Sequence, residues 1–301
     1  MNLILPDVIC RAMAQGAALV INISSGKDSQ AMLMALVVAY HRNRWTGPIF
    51  ALHMDLGRAE WPESIVHCQR IAAIAGVKLV VIKRPQGDLI QEIEERMLAL
   101  AGTDKPYWPS SSNRYCTSDQ KRDQANKILR QFPLVISAEG IRAEESTERG
   151  KKNPITLRDK VSSTKFEGMD VKSALSKWIE LNELGAKKQP TLAITWFPIF
   201  DWTIDQVYTQ CGHSIKERDH RRELYRDGRK AEALSDWWMH QAYIYGNDRV
   251  SCIFCILGNL NDLRTGAREH PKLLKQTYIP LEDGGGKTFK NKWSLKELLH
   301  E

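Results

Sequence analysis

A short loop of small and charged residues, SSGKDS at residues 24–29, has the composition of an anion-binding site. It lies between an apolar run and a helical pattern, so its backbone N–H groups and the positive end of the helix would face a bound anion. Lys27 would add a full positive charge, and Ser29 would cap the helix while its hydroxyl meets a phosphate oxygen. The loop does not have the glycine spacing of a Walker loop. Taken alone, these six residues predict either a phosphate-binding loop of another type or a plain turn between a strand and a helix.

A pair of cysteines, Cys252 and Cys255, has the Cys-x-x-Cys spacing that lets two thiolates reach one metal ion or cluster. The pair alone does not complete such a site. A redox dithiol and a pair of buried structural cysteines are the alternatives that these residues leave open. The other candidates, Cys10, Cys68 and Cys211, lie in apolar or helical contexts, and we expect them to be structural.

Composition favours a folded protein with an anionic partner. The chain has 301 residues, is 43% hydrophobic and carries a formal charge of +7, which favours nucleotides or nucleic acid as ligands. No apolar stretch is long enough to span a membrane, and the N-terminus does not resemble a secretion signal. We therefore expect a cytoplasmic protein with no membrane partner. Six cysteines are too few for a disulfide framework in a chain of this length.

Apolar runs alternate with helical patterns in the first half of the chain, which predicts a parallel sheet with helices on both faces, an α/β fold. The predicted strands cover residues 17–24, 47–55, 77–83, 132–140 and 191–202, and the clearest helices cover residues 29–40 and 62–75. Ligands of such sheets bind beyond the carboxyl ends of the strands. The polar, basic stretch at residues 146–165 predicts a surface loop that orders over a ligand. We divide the chain into a nucleotide-binding domain, residues 1–202, and a mainly helical C-terminal lobe, residues 203–301, which carries the cysteine pair.

The loop at residues 24–29 resembles the Ser-Gly-Gly-x-Asp-Ser signature of the PP-loop ATP pyrophosphatase superfamily. Ser24, Gly26, Lys27, Asp28 and Ser29 match this signature, and residue 25 is a serine where the signature has a glycine. In that superfamily the loop holds the pyrophosphate of an adenine nucleotide.

Four further segments resemble one branch of the superfamily, the sulfonucleotide (PAPS) reductase-like proteins, which include the enzyme of DNA phosphorothioation. They are HMDLGRAEWPES at residues 53–64, RYCTSDQK at residues 114–121, GIRAEESTERG at residues 140–150 and FPIFDWTIDQVY at residues 197–208. The resemblance implies the PP-loop fold and an adenine-nucleotide substrate, either ATP or PAPS/APS.

The resemblance also implies the residues of the nucleotide site. Lys27, Asp28 and Arg142 are the candidate catalytic residues. The candidate nucleotide-binding residues are Ser24, Ser25, Gly26, Lys27, Asp28, Ser29, Asp55, Gly57, Arg142 and Arg149. Asp55 would accept a hydrogen bond from a ribose hydroxyl, and the two arginines would bind phosphate or sulfate. Asp28 is the candidate ligand, through water, for Mg²⁺ on the pyrophosphate.

For the cysteines, the resemblance adds Cys116 as a third ligand. Cys116 aligns with the cluster-binding segment of adenylylsulfate reductases, which has a double cysteine where this chain has Cys116 followed by Thr117. Cys116, Cys252 and Cys255 would hold a four-iron, four-sulfur (4Fe-4S) cluster with one iron open, as some PP-loop tRNA thiolation enzymes are thought to do. Zinc with His240 or another fourth ligand is the alternative.

Three functions remain open. Thiol-dependent reductases of the family end in a Glu-Cys-Gly-x-His segment that supplies the attacking cysteine. This chain has no cysteine after Cys255, so we do not expect that reaction in its usual form. The first hypothesis is ATP-dependent adenylation with release of pyrophosphate, coupled to sulfur transfer. The alternatives are a PAPS or APS reductase that uses an external thiol, and a non-catalytic nucleotide-binding module with a structural zinc. Besides the nucleotide, the partners left open are a sulfur-donor protein, a nucleic-acid acceptor and a second copy of the chain in a homodimer.

Overall fold

The computed structural model of the chain describes residues 3–185, 189–290 and 294–299. A six-stranded sheet has the order β3-β2-β1-β4-β6-β5. Its strands are β1 (Ala18–Asn22), β2 (Ile49–Met54), β3 (Lys78–Ile82), β4 (Leu134–Ala138), β5 (Ile155–Leu157) and β6 (Leu192–Trp196). β1 pairs in parallel with β2 and β4, and β4 pairs in parallel with β6. The edge strand β5 pairs with β6 in antiparallel orientation.

The described residues also form α-helices along the whole chain. These are α1 (Asp7–Ala14), α2 (Lys27–Arg42), α3 (Glu63–Ile74), α4 (Leu89–Ala99), α5 (Tyr115–Thr117), α6 (Asp123–Leu129), α7 (Thr147–Gly150), α8 (Val171–Glu183), α9 (Ile204–Gln210), α10 (Ile215–Arg226), α11 (Lys230–Leu234), α12 (Ala242–Tyr245), α13 (Leu260–Glu269), α14 (Pro271–Leu273) and α15 (Ile279–Gly285). Short 3₁₀ turns occur at Gly57–Ala59, Ala143–Glu145, Thr164–Phe166 and Leu295–Leu299, and π-helical turns at Ser118–Arg122 and Leu274–Tyr278. No helix in the described ranges is long and apolar enough to cross a membrane.

The chain divides into two compact units, each assembled from three segments. The first unit comprises Met1–His53, Val66–Ile82 and Ala125–Ile215, and the second comprises Met54–Ile65, Lys83–Gln124 and Lys216–Glu301. The predicted domain boundary between residues 202 and 203 stays a prediction, because compactness alone does not define a domain.

The first unit contains the sheet, and its central strands are apolar because both of their faces are covered. All residues of β4 and β6 are buried, whereas every residue of the edge strand β3 is at least partly exposed. Helix α1 packs against α8, and α2 packs against α9. The α/β fold with a mainly parallel sheet is therefore confirmed.

The predicted surface loop at residues 146–165 is wrong in its secondary structure. The segment contains helix α7 and strand β5, and helix α8 follows it. β5 has only three residues, and what makes it a strand is its pairing with β6, which is distant in sequence. Alternation of apolar and polar residues over so short a run does not predict a strand.

The second unit has its own apolar core, which includes Trp61, Ile90, Trp108, Phe254 and Tyr278. Cys116 and Cys252 pack against this core. Cys116 lies in the short helix α5, directly before the π-helical turn at Ser118–Arg122. The cysteines predicted to bind metal are thus built into the second unit, and the loop predicted to bind phosphate is built into the first.

Candidate functional site

The loop at residues 24–29 joins the buried strand β1 to helix α2, as the sequence predicts. Gly26 is extended and lies just before α2, which contains no glycine or proline to interrupt it. Ser25 has a φ of 60°, in the left-handed region where glycine is favoured, and this is the position at which the PP-loop signature has glycine. The Ser29 hydroxyl donates to the Gly26 carbonyl (2.8 Å) and accepts from the Ser24 N–H (3.1 Å). These contacts hold the loop in a tight turn at the N-terminus of α2.

Three charged side chains of this site form one network. Lys27 Nζ lies 3.1 Å from Asp28 Oδ2, and Arg142 Nε lies 2.5 Å from Asp28 Oδ1. Arg142 is only 3% exposed and Lys27 only 5%. Burial opposes ionisation of Asp28, but the two cations outweigh it and hold the pKa of its carboxyl below the usual 3.8. Asp28 is therefore a carboxylate at neutral pH, with a cation on each side.

Arg142 has two further contacts that fix its guanidinium. Its Nη1 lies 2.6 Å from a carboxylate oxygen of Glu144 and donates to the Trp202 carbonyl (3.2 Å). The two cations, Lys27 and Arg142, thus face two carboxylates, Asp28 and Glu144, and the formal charges of these four side chains cancel.

The strand order explains why residues far apart in sequence meet here. The chain leaves β1 toward β2 on one side, whereas β4 lies on the other side of β1. The connections that follow β1 and β4 therefore run to opposite sides, and the loops that begin them are neighbours at the place where open α/β sheets bind ligands. The loop after β1 is the phosphate-binding candidate, and the loop after β4 carries Gly140 and Arg142.

Gly140 allows the two loops to approach each other closely. A Cβ at this position would lie 3.1 Å from the backbone carbon of Asp28 and 3.1 Å from the backbone nitrogen of Ser29. Both are backbone atoms at the start of α2, which cannot move without moving the loop. Only glycine therefore fits here without displacing the N-terminus of α2.

The three cysteines of the second unit are electrostatic neighbours. Burial raises the pKa of the Cys252 thiol, Lys121 partly opposes this rise, and Cys255 and Cys116 add to it. Burial also raises the pKa of the Cys116 thiol, and Cys255 contributes to the rise. Soft sulfur ligands beside an apolar core, as Cys116 and Cys252 are, suit the chemistry of an iron–sulfur cluster. Within the described ranges, however, no three His, Cys, Asp or Glu side chains are arranged to hold a metal ion.

A buried carboxylate anchors the turn that follows Cys116. Glu92 is 2% exposed and accepts from Gln120 Nε2 (2.8 Å) and from Arg96 Nη2 (3.0 Å). Arg96 also pairs with Asp119 (3.1 Å). Gln120 and Asp119 both belong to the π-helical turn, so Glu92 holds this turn directly and through Arg96.

One protein-family model matches a large part of the chain. The Phosphoadenosine phosphosulfate reductase domain matches residues 18–239, which is more than half of the chain. The chain belongs to the PAPS reductase family. It is thus an adenine-nucleotide enzyme of the PP-loop type, and the sequence resemblance is confirmed.

One solved structure similar to this PAPS reductase family member is the U34-tRNA thiolase NcsA from Methanococcus maripaludis with its [4Fe-4S] cluster. The match covers 98% of this chain and 81% of the thiolase, with 13% sequence identity and a TM-score of 0.39. No curated protein sequence matches the chain.

In this PAPS reductase family member, Arg149 is tied to the loop that carries Arg142. Arg149 forms an ion pair with Glu145. The Glu145 carboxylate also accepts from the Arg142 backbone N–H (3.3 Å). The two predicted phosphate-binding arginines are therefore linked through one carboxylate.

Asp55 and Gly57, the other predicted nucleotide ligands, lie in the second unit from Met54 onward. Asp55 Oδ1 accepts from the Gly57 N–H at 2.7 Å, and the other carboxylate oxygen of Asp55 pairs with Lys83 (2.8 Å). Asp55 therefore stabilises a turn, and its role as a ribose ligand stays a prediction, as do the other assigned roles.

His240, the alternative zinc ligand, has protein partners at both ring nitrogens. Nδ1 accepts from the Ala242 N–H (3.1 Å), and Nε2 lies 3.3 Å from the Ser64 hydroxyl. Zinc bound to either ring nitrogen of His240 would replace the contact that this nitrogen makes here.

Sequence reasoning missed several residues that shape the nucleotide site. Glu144 neutralises Arg142, Gly140 permits the close approach, and the Cys211 thiol donates to the Lys27 carbonyl (3.5 Å). Gly140 and Glu144 both lie in the GIRAEESTERG segment, but its resemblance to the family indicates roles only for the arginines and the serine.

Proposed function

We propose that this protein adenylates an acceptor with ATP, releases pyrophosphate, and uses the activated acceptor for sulfur transfer. The observation that carries this proposal is the charge-balanced network of Lys27, Asp28, Arg142 and Glu144 at the start of α2. The adenylation and sulfur-transfer steps are what we propose, whereas an adenine nucleotide as the substrate follows from membership of the family.

The charge balance favours ATP with a divalent cation. A triphosphate is strongly anionic, and it would meet no net positive charge from these four side chains. The Asp28 carboxylate would also repel it unless a cation lies between them. Mg²⁺ binds through one or two carboxylates together with substrate phosphates and keeps several waters, which is the role we assign to Asp28. Backbone N–H groups of the loop and the N-terminus of α2 would hold the phosphate oxygens.

In the first step, an acceptor oxygen attacks the α-phosphorus of ATP. The new bond joins this oxygen to the phosphorus, and the bond from the phosphorus to the pyrophosphate oxygen breaks, so pyrophosphate leaves with its electron pair. Lys27 and Arg142 stabilise the charge that develops on the phosphoryl oxygens. In the second step, a sulfur nucleophile attacks the activated atom of the acceptor and displaces AMP.

For the sulfur step, we propose that Cys116, Cys252 and Cys255 hold a 4Fe-4S cluster. When bound, the cluster supplies an iron that these three thiolates leave open for a sulfur ligand. The contribution of the chain is to gather the thiols in a largely apolar environment, with Glu92 fixing the turn after Cys116.

The test of adenylation separates the two nucleotide reactions. The protein, purified without oxygen, is incubated with Mg²⁺ and ATP labelled at the α-phosphorus, with bulk tRNA or DNA as acceptor and sodium sulfide as the sulfur nucleophile, and AMP and pyrophosphate are measured. In parallel it is incubated with PAPS and a dithiol, and sulfite is measured. We expect AMP and pyrophosphate in equal amounts and no sulfite.

The variant Lys27→Ala should lose this activity, whereas Lys151→Ala should keep it, because Lys151 is an exposed lysine paired with the exposed Glu148. Release of ADP in place of AMP, or activity that Lys27→Ala retains, would contradict the proposal.

Family membership itself favours a second candidate, reduction of PAPS or APS by an external thiol. In that reaction a thiolate attacks the sulfur of the sulfonucleotide, and the nucleotide phosphate leaves with the electron pair of the broken S–O bond. A second thiolate then attacks the thiol sulfur of the resulting S-sulfonate, so that a disulfide forms and sulfite leaves. Sulfite release without consumption of ATP would establish this candidate in place of adenylation.

The cluster has its own test, the iron and acid-labile sulfide content of the anaerobic protein. We expect about four irons with matching sulfide, since that is the composition of a 4Fe-4S cluster. Cys252→Ala should lose both, and the control Cys10→Ala, a cysteine of helix α1, should retain them. Zinc alone, or no metal, would refute the cluster.

A further inference from the structure

A strongly basic segment lies next to the candidate nucleotide site and has no role in the proposed reaction. Residues 149–165 contain six lysines or arginines and one aspartate. Some of these cations have acidic partners, as Arg158 does with Glu139 (2.8 Å) and Lys151 with Glu148 (2.7 Å). The others give the segment an excess of exposed positive charge.

Four exposed cations in or beside this segment have no acidic partner in the part of the chain that the structure describes. They are Arg130, Lys152, Lys160 and Lys165, and we call them the basic edge. Arg130 donates to the Lys160 carbonyl at 2.5 Å, which ties the end of helix α6 to the chain after β5. The basic edge is thus a connected surface formed by two parts of the chain.

The basic edge follows strand β5 along the outer edge of the sheet. The first residue of β5, Ile155, pairs with Trp196, the last residue of β6, so the segment before β5 lies at the carboxyl end of the parallel strands. This is the end at which the phosphate-binding loop and Arg142 lie. Lys152 precedes β5 at this end, and Lys160 follows β5 toward the opposite end.

The start of the basic edge is close to the Arg142 loop. A Cβ on Gly150 would lie 3.6 Å from the Ala143 carbonyl oxygen, so the end of α7 contacts the turn directly after Arg142. Lys152 follows two residues later and donates its backbone N–H to the Arg149 carbonyl (3.0 Å). A polyanion on the basic edge would therefore lead to the candidate nucleotide site.

We propose that the basic edge binds the sugar-phosphate backbone of a nucleic acid, so that the acceptor of the reaction is a nucleic acid. This inference rests on the proposed function for the identity of the acceptor, but the binding surface itself does not depend on it. Lys152 and Lys160 are eight residues apart, which an extended chain spans in at most about 29 Å. With phosphates spaced about 3.4 Å apart along the axis of one DNA strand, that length faces at most about eight phosphates.

Charge and shape favour a nucleic acid over an acidic protein. Lys152 precedes β5 and Lys160 follows it, and the phosphates of a nucleic acid form a continuous row of the opposite charge. Lysines on an edge strand can also serve to keep that strand from pairing with other sheets, and Lys78 lies on β3, the edge strand at the other side of the sheet. Because Lys78 is an exposed lysine of the same unit, its reversal to glutamate serves as the control.

The experiment measures binding of fluorescein-labelled single-stranded RNA, single-stranded DNA and duplex DNA of about 30 nucleotides by fluorescence anisotropy, at about 50 mM and about 200 mM salt. The variants are Lys152→Glu with Lys160→Glu, and Lys78→Glu as the control. Unlabelled polyglutamate is the competitor that represents an acidic protein. Binding of MgATP by each variant is measured separately by calorimetry.

We expect the double variant to bind nucleic acid about tenfold more weakly at low salt. The slope of log affinity against log salt should fall in magnitude by about 1.4 for single strands and about 1.8 for duplexes, because two phosphate contacts are lost. Lys78→Glu should bind nucleic acid like the wild type, and all variants should bind MgATP equally well.

Lys78→Glu carries half the charge change of the double variant, so weakening by about threefold in this control would reflect net charge alone and would overturn the inference. Polyglutamate should compete less effectively than unlabelled nucleic acid at equal charge. If the two compete equally well, the inference is overturned and an acidic protein is indicated as the partner. If the wild-type protein releases no pyrophosphate from ATP but binds nucleic acid through the basic edge as expected, the proposed function is refuted and the basic edge is supported.

Discussion

Replacing Gly140 with alanine tests whether the contact between the two loops positions the nucleotide. The added Cβ would lie 3.1 Å from backbone atoms of Asp28 and Ser29, and ordinary contact begins at 3.4 Å. These atoms would therefore have to move by about 0.3 Å, the difference between the two distances. They cannot yield freely, because Ser29 is bonded to Gly26 and Asp28 to Arg142.

The size of the effect follows from this displacement. If a misplacement of about 1 Å lowers the reaction rate about 100-fold, and the logarithm of the loss scales with distance, a shift of about 0.3 Å lowers the rate of pyrophosphate release, measured in the adenylation assay, roughly fourfold. Overpacking of this kind typically lowers the free energy of unfolding by about 1–3 kcal/mol, and we expect the lower half of that range because only one methyl group is added.

The assay compares Gly140→Ala with Gly150→Ala. The Cβ of the control would meet its nearest neighbour at 3.6 Å, an ordinary contact, so it adds a methyl group to the same region without a clash. MgATP affinity is measured by calorimetry and the free energy of unfolding by urea denaturation followed by tryptophan fluorescence. If Gly140→Ala binds MgATP as tightly as Gly150→Ala, the argument that this contact positions the loop is wrong, whatever happens to stability.

Two further predictions concern buried carboxylates. The pKa of Asp28 is lower in the folded state than its usual 3.8, so its ionised form stabilises the fold above that pH, and this contribution is lost as pH falls through the lower folded-state value. Asp28→Asn should therefore be less stable than the wild type to urea at about pH 7, with a difference that shrinks at about pH 3, and a difference independent of pH would contradict the assignment. Loss of hydrogen bonds to a charged group costs about 1.5–3 kcal/mol, so Glu92→Ala should lower the free energy of unfolding by about 2 kcal/mol, since Gln120 loses its acceptor whereas the partly exposed Arg96 keeps Asp119. The control Glu95→Ala, an exposed position of the same helix, should change stability by about 0.5 kcal/mol or less, and equal losses in the two variants would refute the anchoring role of Glu92.

Several parts of the fold could be predicted because their signals are local. The apolar runs of β1, β2, β4 and β6 are recognisable because buried parallel strands are apolar along their length, and the exposed edge strand β3 is recognisable by its β-branched residues. Helix α2 and the loop before it are recognisable because small residues at a strand end, followed by a helical pattern, are typical of a strand that turns into a helix. The start of α2 at Lys27 and its end at Arg42 lie within two residues of the prediction.

Strand β5 could not be predicted in this way. Its three residues carry little signal of their own, and they form a strand only because β6 offers an unpaired edge. The same holds for the basic edge, because the sequence shows the lysines and only the path of β5 aligns them along one side of the sheet.

The amino-acid sequence by itself determined the family, the loop between β1 and α2, and the identity of the charged and sulfur-bearing residues, because short motifs and apolar periodicity are properties of neighbouring residues. Tertiary structure alone decided which of them meet. Asp28 and Arg142 are 114 residues apart, and they form an ion pair because β4 lies beside β1 and places both loops at one edge of the sheet. Gly140 and Glu144 acquire their roles for the same reason. Contacts between distant segments depend on the order in which strands pair, and no local pattern encodes that order.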